Sequence, residues 1–512
     1  MANGATRRRP TKNAVALRML SMLGCLVLFG GWTGAVLAQN PPPSAGACAT
    51  LVGTRFAPGT ITSAQRVAKG QALGGLMSDS ASTDLCRVRL RLQPTPASDI
   101  NVELWLPDTW NGKLFTHGGG GFSGGLGQSE GLMNTVASRG YATATSDLGH
   151  PVAATARWAH QQPEKVVDFA YRANHALAMT AKQVISAYYG APARHAYFQG
   201  CSDGGREAMM EVSRFPDDYD GVIAGSPAIN FGEIMTQLVW NERAIAAAPN
   251  LHAKLPMVNK AILQACDGLD GVQDGALENP MQCQFDPAVL QCKLFDTAAC
   301  LTKAEVAALR KVYDGPRLKS GELLIPGPAV GGEGAGWVLA GFMNSVGGLE
   351  YYRWLVYGDP AWTAAGFDLD RDYAHSRRAG QVLDASDPDI GSFVRRGGRL
   401  IMYHGWSDSL ISALNSVRYY EKARSVLGPK VGDSARLFMV PGLQHCGEGI
   451  DMVPQLEAWV EHDQAPETAV ARSKGRSLLG HAESSRLLCP WPKTARYKGS
   501  GSTGDAANFS CS

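Results

Sequence analysis

The sequence predicts an α/β fold: a largely parallel sheet flanked by helices and interrupted by one long insertion. Three observations lead there. Short apolar runs alternate with helical periods between residues 113 and 225. The alternation stops over 227–385. It resumes between 399 and 461. The chain has 512 residues, 45% of them hydrophobic and 18% charged, which accommodates a large core and excludes a disordered or fibrous class.

The N-terminus comes first. Residues 7–12 are basic, 19–31 mostly apolar, and Ala35-Val36-Leu37-Ala38 offers small residues before a cut. This reads as a signal peptide over 1–38, and the apolar run is too short to span a membrane comfortably. Cys25 sits too early in that run to be a lipid-attachment site. The leader carries five basic residues and no acid, so the formal charge of +2 falls to −3 once it is removed. That balance gives no reason to expect nucleic acid or anionic lipid as a partner. No other stretch is long and apolar enough for a membrane span, so the mature protein is expected to be soluble and either secreted or periplasmic. A single N-glycosylation pattern, Asn508-Phe509-Ser510, is crowded against Cys511, which favours a bacterial source over a fungal one.

Residues 39–47 are rich in Pro, Ser and Gly and read as a loose leader. Residues 86–106 alternate apolar and polar around Pro-Thr-Pro, a hairpin pattern. A short strand at 113–116 runs into glycines, and another is expected at 141–146. Residues 165–189 have a helical period, with Val166, Phe169, Ala173, Leu177 and Val184 on one side. Then come a strand at 195–200, a sharp turn, a helix over 204–214 and a strand at 221–225. After the insertion, strands are expected at 399–403 and 436–440, with helices near 410–425 and 451–461. The expected organisation is therefore 39–226 and 386–512 as two parts of one core, and 227–385 as an inserted cap.

The turn after strand 195–200 reads Gly200-Cys201-Ser202-Asp203-Gly204. It fits G-x-S-x-G between a strand and a helix. Small residues on either side permit a cramped turn that projects the serine hydroxyl, with a helix N-terminus beneath it. A serine needs a base and an orienting acid, because its hydroxyl is a weak nucleophile near neutral pH. In chain order the candidates are Asp408, in the loop after strand 399–403, and His445, in the loop after 436–440. His404 competes for the base but precedes the acid, and Asp463 and Glu448 are weaker candidates for the acid.

Beyond Cys25, ten cysteines remain: Cys48, Cys86, Cys201, Cys266, Cys283, Cys292, Cys300, Cys446, Cys489 and Cys511. An even number in an exported chain reads as five disulfides, although sequence alone does not choose the pairing. Closeness suggests 48–86, 266–283, 292–300 and 489–511, which leaves Cys201 with Cys446. Those two flank Ser202 and His445, so a bridge between them would hold nucleophile and base together. Buried thiols and other pairings are the alternatives.

The segments 200–228 (GCSDGGREAMMEVSRFPDDYDGVIAGSPA), 400–421 (LIMYHGWSDSLISALNSVRYYE), 438–449 (FMVPGLQHCGEG) and 489–501 (CPWPKTARYKGSG) resemble the tannase and feruloyl esterase family of α/β-hydrolases. The resemblance covers nearly all of the chain beyond 38. It implies an α/β-hydrolase core with a cap, and a serine esterase acting on esters of hydroxycinnamic or hydroxybenzoic acids. It implies Ser202, Asp408 and His445 as the triad, the Cys201–Cys446 bridge and the four local disulfides. The oxyanion hole is then expected from the N–H of Asp203 and of Gly121, with Gly120 as the alternative. Residues 266–278 (CDGLDGVQDGALE) resemble the family's calcium loop, which implies a structural Ca²⁺ on Asp267, Asp270, Val272 (carbonyl), Asp274 and Ala276 (carbonyl).

The cap holds aromatics suited to a phenolic ring, among them Trp337, Phe342, Tyr351, Tyr352, Trp354 and Trp362. One branch of the family cleaves a terephthalate monoester and uses a cap arginine; within 337–354 only Arg353 is available. Other readings are an amidase or peptidase with the same triad, and a non-catalytic calcium-dependent secreted binding protein. Oligomeric state is not legible.

Overall fold

The computed structural model describes residues 45–512 apart from 75–79, 152–154, 296, 335 and 474–483. The expected signal peptide and Cys25 lie outside the described residues. Ten strands form one sheet in the order β1-β2-β3-β4-β6-β5-β7-β8-β9-β10. They are β1 (Arg55–Phe56), β2 (Gly59–Val67), β3 (Leu85–Leu92), β4 (Ile100–Pro107), β5 (Lys113–His117), β6 (Ala142–Ser146), β7 (His195–Cys201), β8 (Gly221–Gly225), β9 (Arg399–Gly405) and β10 (Ala435–Val440).

From β6 through β10 every neighbouring pair is parallel. The N-terminal arm, β1 to β4, is antiparallel and joins the rest through an antiparallel β4–β6 pair. The hairpin expected at 86–106 is β3–β4. β2 was not expected, because its only strongly apolar inward residues are Ile61 and Val67. β8 is buried throughout and reads as a continuous apolar run, as a strand covered on both faces must, while β7 is buried at Ala196, Tyr197, Phe198 and Gly200. Residues 39–44 of the expected loose leader lie outside the described residues, and 45–47 are not loose. Ala45–Ala49 is helical, and Cys48 is tied to Cys86 on β3.

Among the described residues, 226–398 adds no strand to the sheet. It holds the helices Phe231–Ala246, Leu251–Cys266, Lys303–Asp314, Gly336–Glu350 and Leu369–Leu383. Its ends meet: Ala385 N–H donates to Ile229 O at 2.8 Å, and Gly232 N–H to Asp384 Oδ1 at 3.0 Å.

The helix expected over 165–189 is not uniform. Pro163–Val167 and Ala173–Tyr189 are α-helical, and Asp168–Arg172 between them is a π turn. A π turn leaves carbonyls without their usual partners. Here Arg206 takes two of them, Ala170 O at 2.7 Å and Phe169 O at 3.1 Å. That partner lies more than 30 residues away, which is why no local period announced it.

Candidate active site

β7 ends at Cys201 and the helix Asp203–Arg214 begins one residue after Ser202. Ser202 therefore occupies the corner, with φ +64° and ψ −120°, a strained backbone for a residue with a side chain. The corner closes only on glycine. A Cβ on Gly200 would stand 2.1 Å from Gly204 O, and one on Gly204 would stand 2.6 Å from Gly119 O.

The backbone amides around the serine are nearly all committed. Ser202 N–H donates to Gly225 O at 3.0 Å and Gly204 N–H to Gly119 O at 3.1 Å. In the facing loop, Gly118 N–H donates to Gln199 O at 3.0 Å, Gly119 N–H to Glu207 Oε1 at 3.0 Å, and Gly120 N–H to Ser123 O at 3.0 Å. Asp203 N–H, at the first position of its helix, and Gly121 N–H, at φ +64°, have no partner among the described residues. Two free donors at a helix N-terminus and a facing turn suit a developing alkoxide. The Gly120–Ser123 turn distinguishes Gly121 from Gly120, a choice the glycine run left open.

Asp408 lies in the loop after β9 and is 1% exposed. Its Oδ1 accepts from Leu410 N–H at 3.0 Å and Ile411 N–H at 2.9 Å. Its Oδ2 accepts from His445 Nδ1 at 2.7 Å. That fixes His445 as the Nδ1–H tautomer when neutral and leaves Nε2 to take a proton. Burial would push the Asp408 carboxyl up. The His445 charge and hydrogen bonds from His404 and His445 outweigh it and hold the group well below the usual carboxylate range.

Cys201 and Cys446 are bonded, with their Cα atoms 6.0 Å apart, so the residues next to the serine and the histidine are covalently joined. No hydrogen bond joins Ser202 Oγ to the His445 ring in this conformation. The other four bridges are 48–86, 266–283, 292–300 and 489–511.

The competing residues sit elsewhere. His404 is fully buried behind the acid: Nε2 meets Asp408 Oδ2 at 3.1 Å and Ile411 O at 3.0 Å, while Nδ1 meets Ser416 Oγ at 2.8 Å. Nε2 faces two acceptors and so carries the proton, which makes His404 a support of Asp408. Asp463 pairs with Arg399 at 2.7 Å, and Glu448 is exposed. Sequence reasoning missed Arg206, Glu207 and the supporting position of His404.

Of the aromatics singled out in 337–362, the Phe342 side chain lies outside what the structure describes, and the other five pack inward. Trp337, Tyr351 and Tyr352 are buried, and Tyr352 stacks on Trp362 with centroids 4.9 Å apart. Trp354 is half-buried and meets His160 edge-on at 5.3 Å. Arg353 is tied to Trp362 O at 2.9 Å and to Glu350 at 3.6 Å.

Asp267, Asp270 and Asp274 share one loop after the helix Leu251–Cys266. Among the described residues no group of three or more His, Cys, Asp or Glu side chains is gathered for a metal ion. Asp270 Oδ1 accepts from Val272 N–H at 2.9 Å, Asp274 Oδ1 from Ala276 N–H at 3.2 Å, and Asp267 Oδ2 from Gly275 N–H at 3.0 Å. Arg486 from the strand Ser484–Leu488 pairs with Asp274 Oδ2. Asp267 Oδ1 is buried and without a partner. The carboxylates thus face backbone amides and Arg486, and the orphaned Asp267 Oδ1 is the feature that suits a hard cation such as calcium.

A family model described as tannase and feruloyl esterase matches residues 86–345 and 362–512. The chain is 34% identical over 491 residues to a mono(2-hydroxyethyl) terephthalate hydrolase of Piscinibacter sakaiensis, with 81% of each chain covered. It is 30% identical over 488 residues to feruloyl esterase B of Aspergillus niger, covering 88% of this chain and 92% of that one. Among solved structures, feruloyl esterase B of Aspergillus oryzae superposes with a TM-score of 0.82 at 26% identity, over 91% of this chain and 100% of the other.

Proposed function

Because this chain belongs to the tannase and feruloyl esterase family and is a carboxylic ester hydrolase, we propose that it cleaves esters of hydroxycinnamic or hydroxybenzoic acids through an acyl-enzyme on Ser202. The single observation that carries the mechanism is the Asp408–His445 hydrogen bond of 2.7 Å beside the Cys201–Cys446 bridge. It supports the reading because it orients the imidazole, while the bridge joins the residue after that histidine to the residue before the strained serine.

Ser202 Oγ attacks the ester carbonyl while His445 Nε2 takes its proton. Asp408, held ionised, stabilises the imidazolium. The N–H groups of Asp203 and Gly121 receive the oxyanion. The alcohol leaves with the proton from His445, and water activated by the same ring releases the acid and restores Ser202. The substrate is a small aromatic-acid ester, and residues 227–385 act as the cap that selects it.

A second reading, a terephthalate monoester hydrolase, is favoured by the 34% identity to the Piscinibacter enzyme. Against it, Arg353 is already engaged by Trp362 O and Glu350. The test is one panel: methyl ferulate, methyl gallate, mono(2-hydroxyethyl) terephthalate and an aryl anilide. Turnover of the first two above the third supports the proposal. Preference for the terephthalate ester supports the second reading, and preference for the anilide sinks both.

The protein is exported, with residues 1–38 removed. The five disulfides support an oxidising compartment. Among the described residues no helix is long and apolar enough to cross a membrane. A structural calcium ion is held by the carboxylates of Asp267, Asp270 and Asp274 and the carbonyls of Val272 and Ala276. It would pin this loop against the C-terminal strands.

A further inference from the structure

The helix that starts at the nucleophile carries three buried acids at one-turn spacing, Asp203, Glu207 and Glu211, of which the first two lie nearest the serine. Asp203 is paired in bidentate fashion with Arg206, at 2.6 and 3.1 Å. The esterase mechanism gives Glu207 no task. Its Oε1 accepts from Gly119 N–H at 3.0 Å and its Oε2 from Asn174 Nδ2 at 2.6 Å.

Gly119 is thereby gripped at both of its polar groups. Its N–H goes to Glu207, and its carbonyl accepts from Gly204 N–H at 3.1 Å. Both partners belong to the helix that begins one residue after Ser202. The loop and the helix pack too closely for a side chain on the loop: a Cβ on Gly118 would come within 2.8 Å of Gly204 Cα and 3.0 Å of Glu207 Oε2. Gly121, whose N–H is free, lies two residues beyond the gripped glycine. Among the described residues, the side-chain hydrogen bond that ties the loop to the nucleophile helix comes from Glu207.

Keeping a carboxyl here is costly. Burial, and then the Asp203 charge, push Glu207 up to about 8 against the opposing pull of Arg206, Asn174 and the Gly119 amide. An apolar side chain would avoid that cost but would leave the Gly119 N–H buried and unpaired.

We infer that Glu207 is a positioning residue of the oxyanion hole: it anchors the 118–121 loop through Gly119 so that Gly121 N–H stays in register with Asp203 N–H. It does not touch the substrate and acts through the loop. The inference rests on the esterase reading above.

Two substitutions separate reach from the carboxyl group itself. Glu207→Gln keeps the length and an acceptor for Gly119 but replaces the carboxyl by an amide. Asn174 Oδ1 is buried and unpartnered, so a turn of that amide gives the new amide nitrogen an acceptor. Glu207→Asp keeps the carboxyl but falls one methylene short. Turnover of methyl ferulate is measured for both, with a melting curve for each. Glu207→Gln is expected to hold kcat within about fivefold of wild type. Glu207→Asp is expected to lose about 100-fold in kcat with KM changed less than threefold, as when one oxyanion donor is misplaced.

Equal kcat for the Asp variant and wild type would overturn the anchor, as would an Asp loss carried by KM. If the Asp variant fails to fold, the Gln variant decides alone: near-wild-type kcat upholds the anchor, and a loss of about 100-fold overturns it. An inactive wild type with Ser202 unlabelled by an organophosphate would overturn the esterase reading and the anchor with it. An active, labelled wild type confines any failure to the anchor.

Discussion

His445 Nδ1 donates to Asp408 Oδ2 at 2.7 Å, and the same oxygen is reached from the opposite histidine, His404, at 3.1 Å. The acid is thus held between a ring that keeps some exposure and one that is sealed in the core. Asp408→Asn should leave the fold intact and reduce kcat by about 10⁴-fold, because an amide favours the wrong tautomer of His445. His404→Ala should reduce kcat by between about 10- and 100-fold through misplacement of the acid, with KM little changed. Steady-state kinetics on methyl ferulate checks both, and a His404 variant as inactive as the Asp408 variant would make His404 a catalytic group.

The bridge between Cys201 and Cys446 closes a loop of 245 residues. The double variant Cys201→Ser, Cys446→Ser should lose about 2–4 kcal/mol of stability and most of its kcat. Urea unfolding and turnover, measured on the same preparation, test this. Full activity in the double variant would mean that the bridge does not position the base.

If calcium occupies the loop 267–276, removing it with a chelator should lower the melting temperature by about 3 °C or more, and Ca²⁺ should restore it. Zn²⁺ should not, since the donors are all oxygen. Asp267→Asn should abolish the response while leaving the active-site kinetics of the folded enzyme unchanged. A melting curve indifferent to chelator and calcium would contradict the assignment.

His117 ends β5, is 1% exposed and has neither ring nitrogen hydrogen-bonded. Burial lowers it from its usual value of 6.5 to about 3. Between those values the unfolded chain binds a proton that the folded chain refuses, so this residue removes stability as the pH falls, by at most about 1.4 kcal/mol per pH unit. The effect is absent above about 6.5 and complete near 3. His117→Gln should show a smaller loss of unfolding free energy between pH 7 and pH 5 than wild type, whatever its stability at pH 7. An identical slope would mean that His117 is protonated in the fold.

The parts that the sequence made legible are those governed by local spacing. The corner at 200–204 needs small residues at fixed offsets, and the acid and base follow strands in a fixed chain order, so Ser202, Asp408 and His445 could be named from the residues alone. The π turn at 168–172 was not legible because its freed carbonyls are taken by Arg206, more than 30 positions away. Glu207 was equally hidden: a Glu within a helix looks like any solvated residue until the 118–121 loop folds onto it. His404 was visible as a histidine near an aspartate, but only its burial assigns it to the acid's support. β2 carries too few apolar residues to betray a strand, and its partner β3 makes it one.

The account stands on Ser202 as the group that becomes acylated. The most direct measurement is labelling with a radiolabelled organophosphate followed by peptide mapping. One equivalent on the peptide that contains Ser202, lost together with turnover in Ser202→Ala, is the predicted result. Label on another residue, or a Ser202→Ala protein that still hydrolyses methyl ferulate at the wild-type rate, would contradict it.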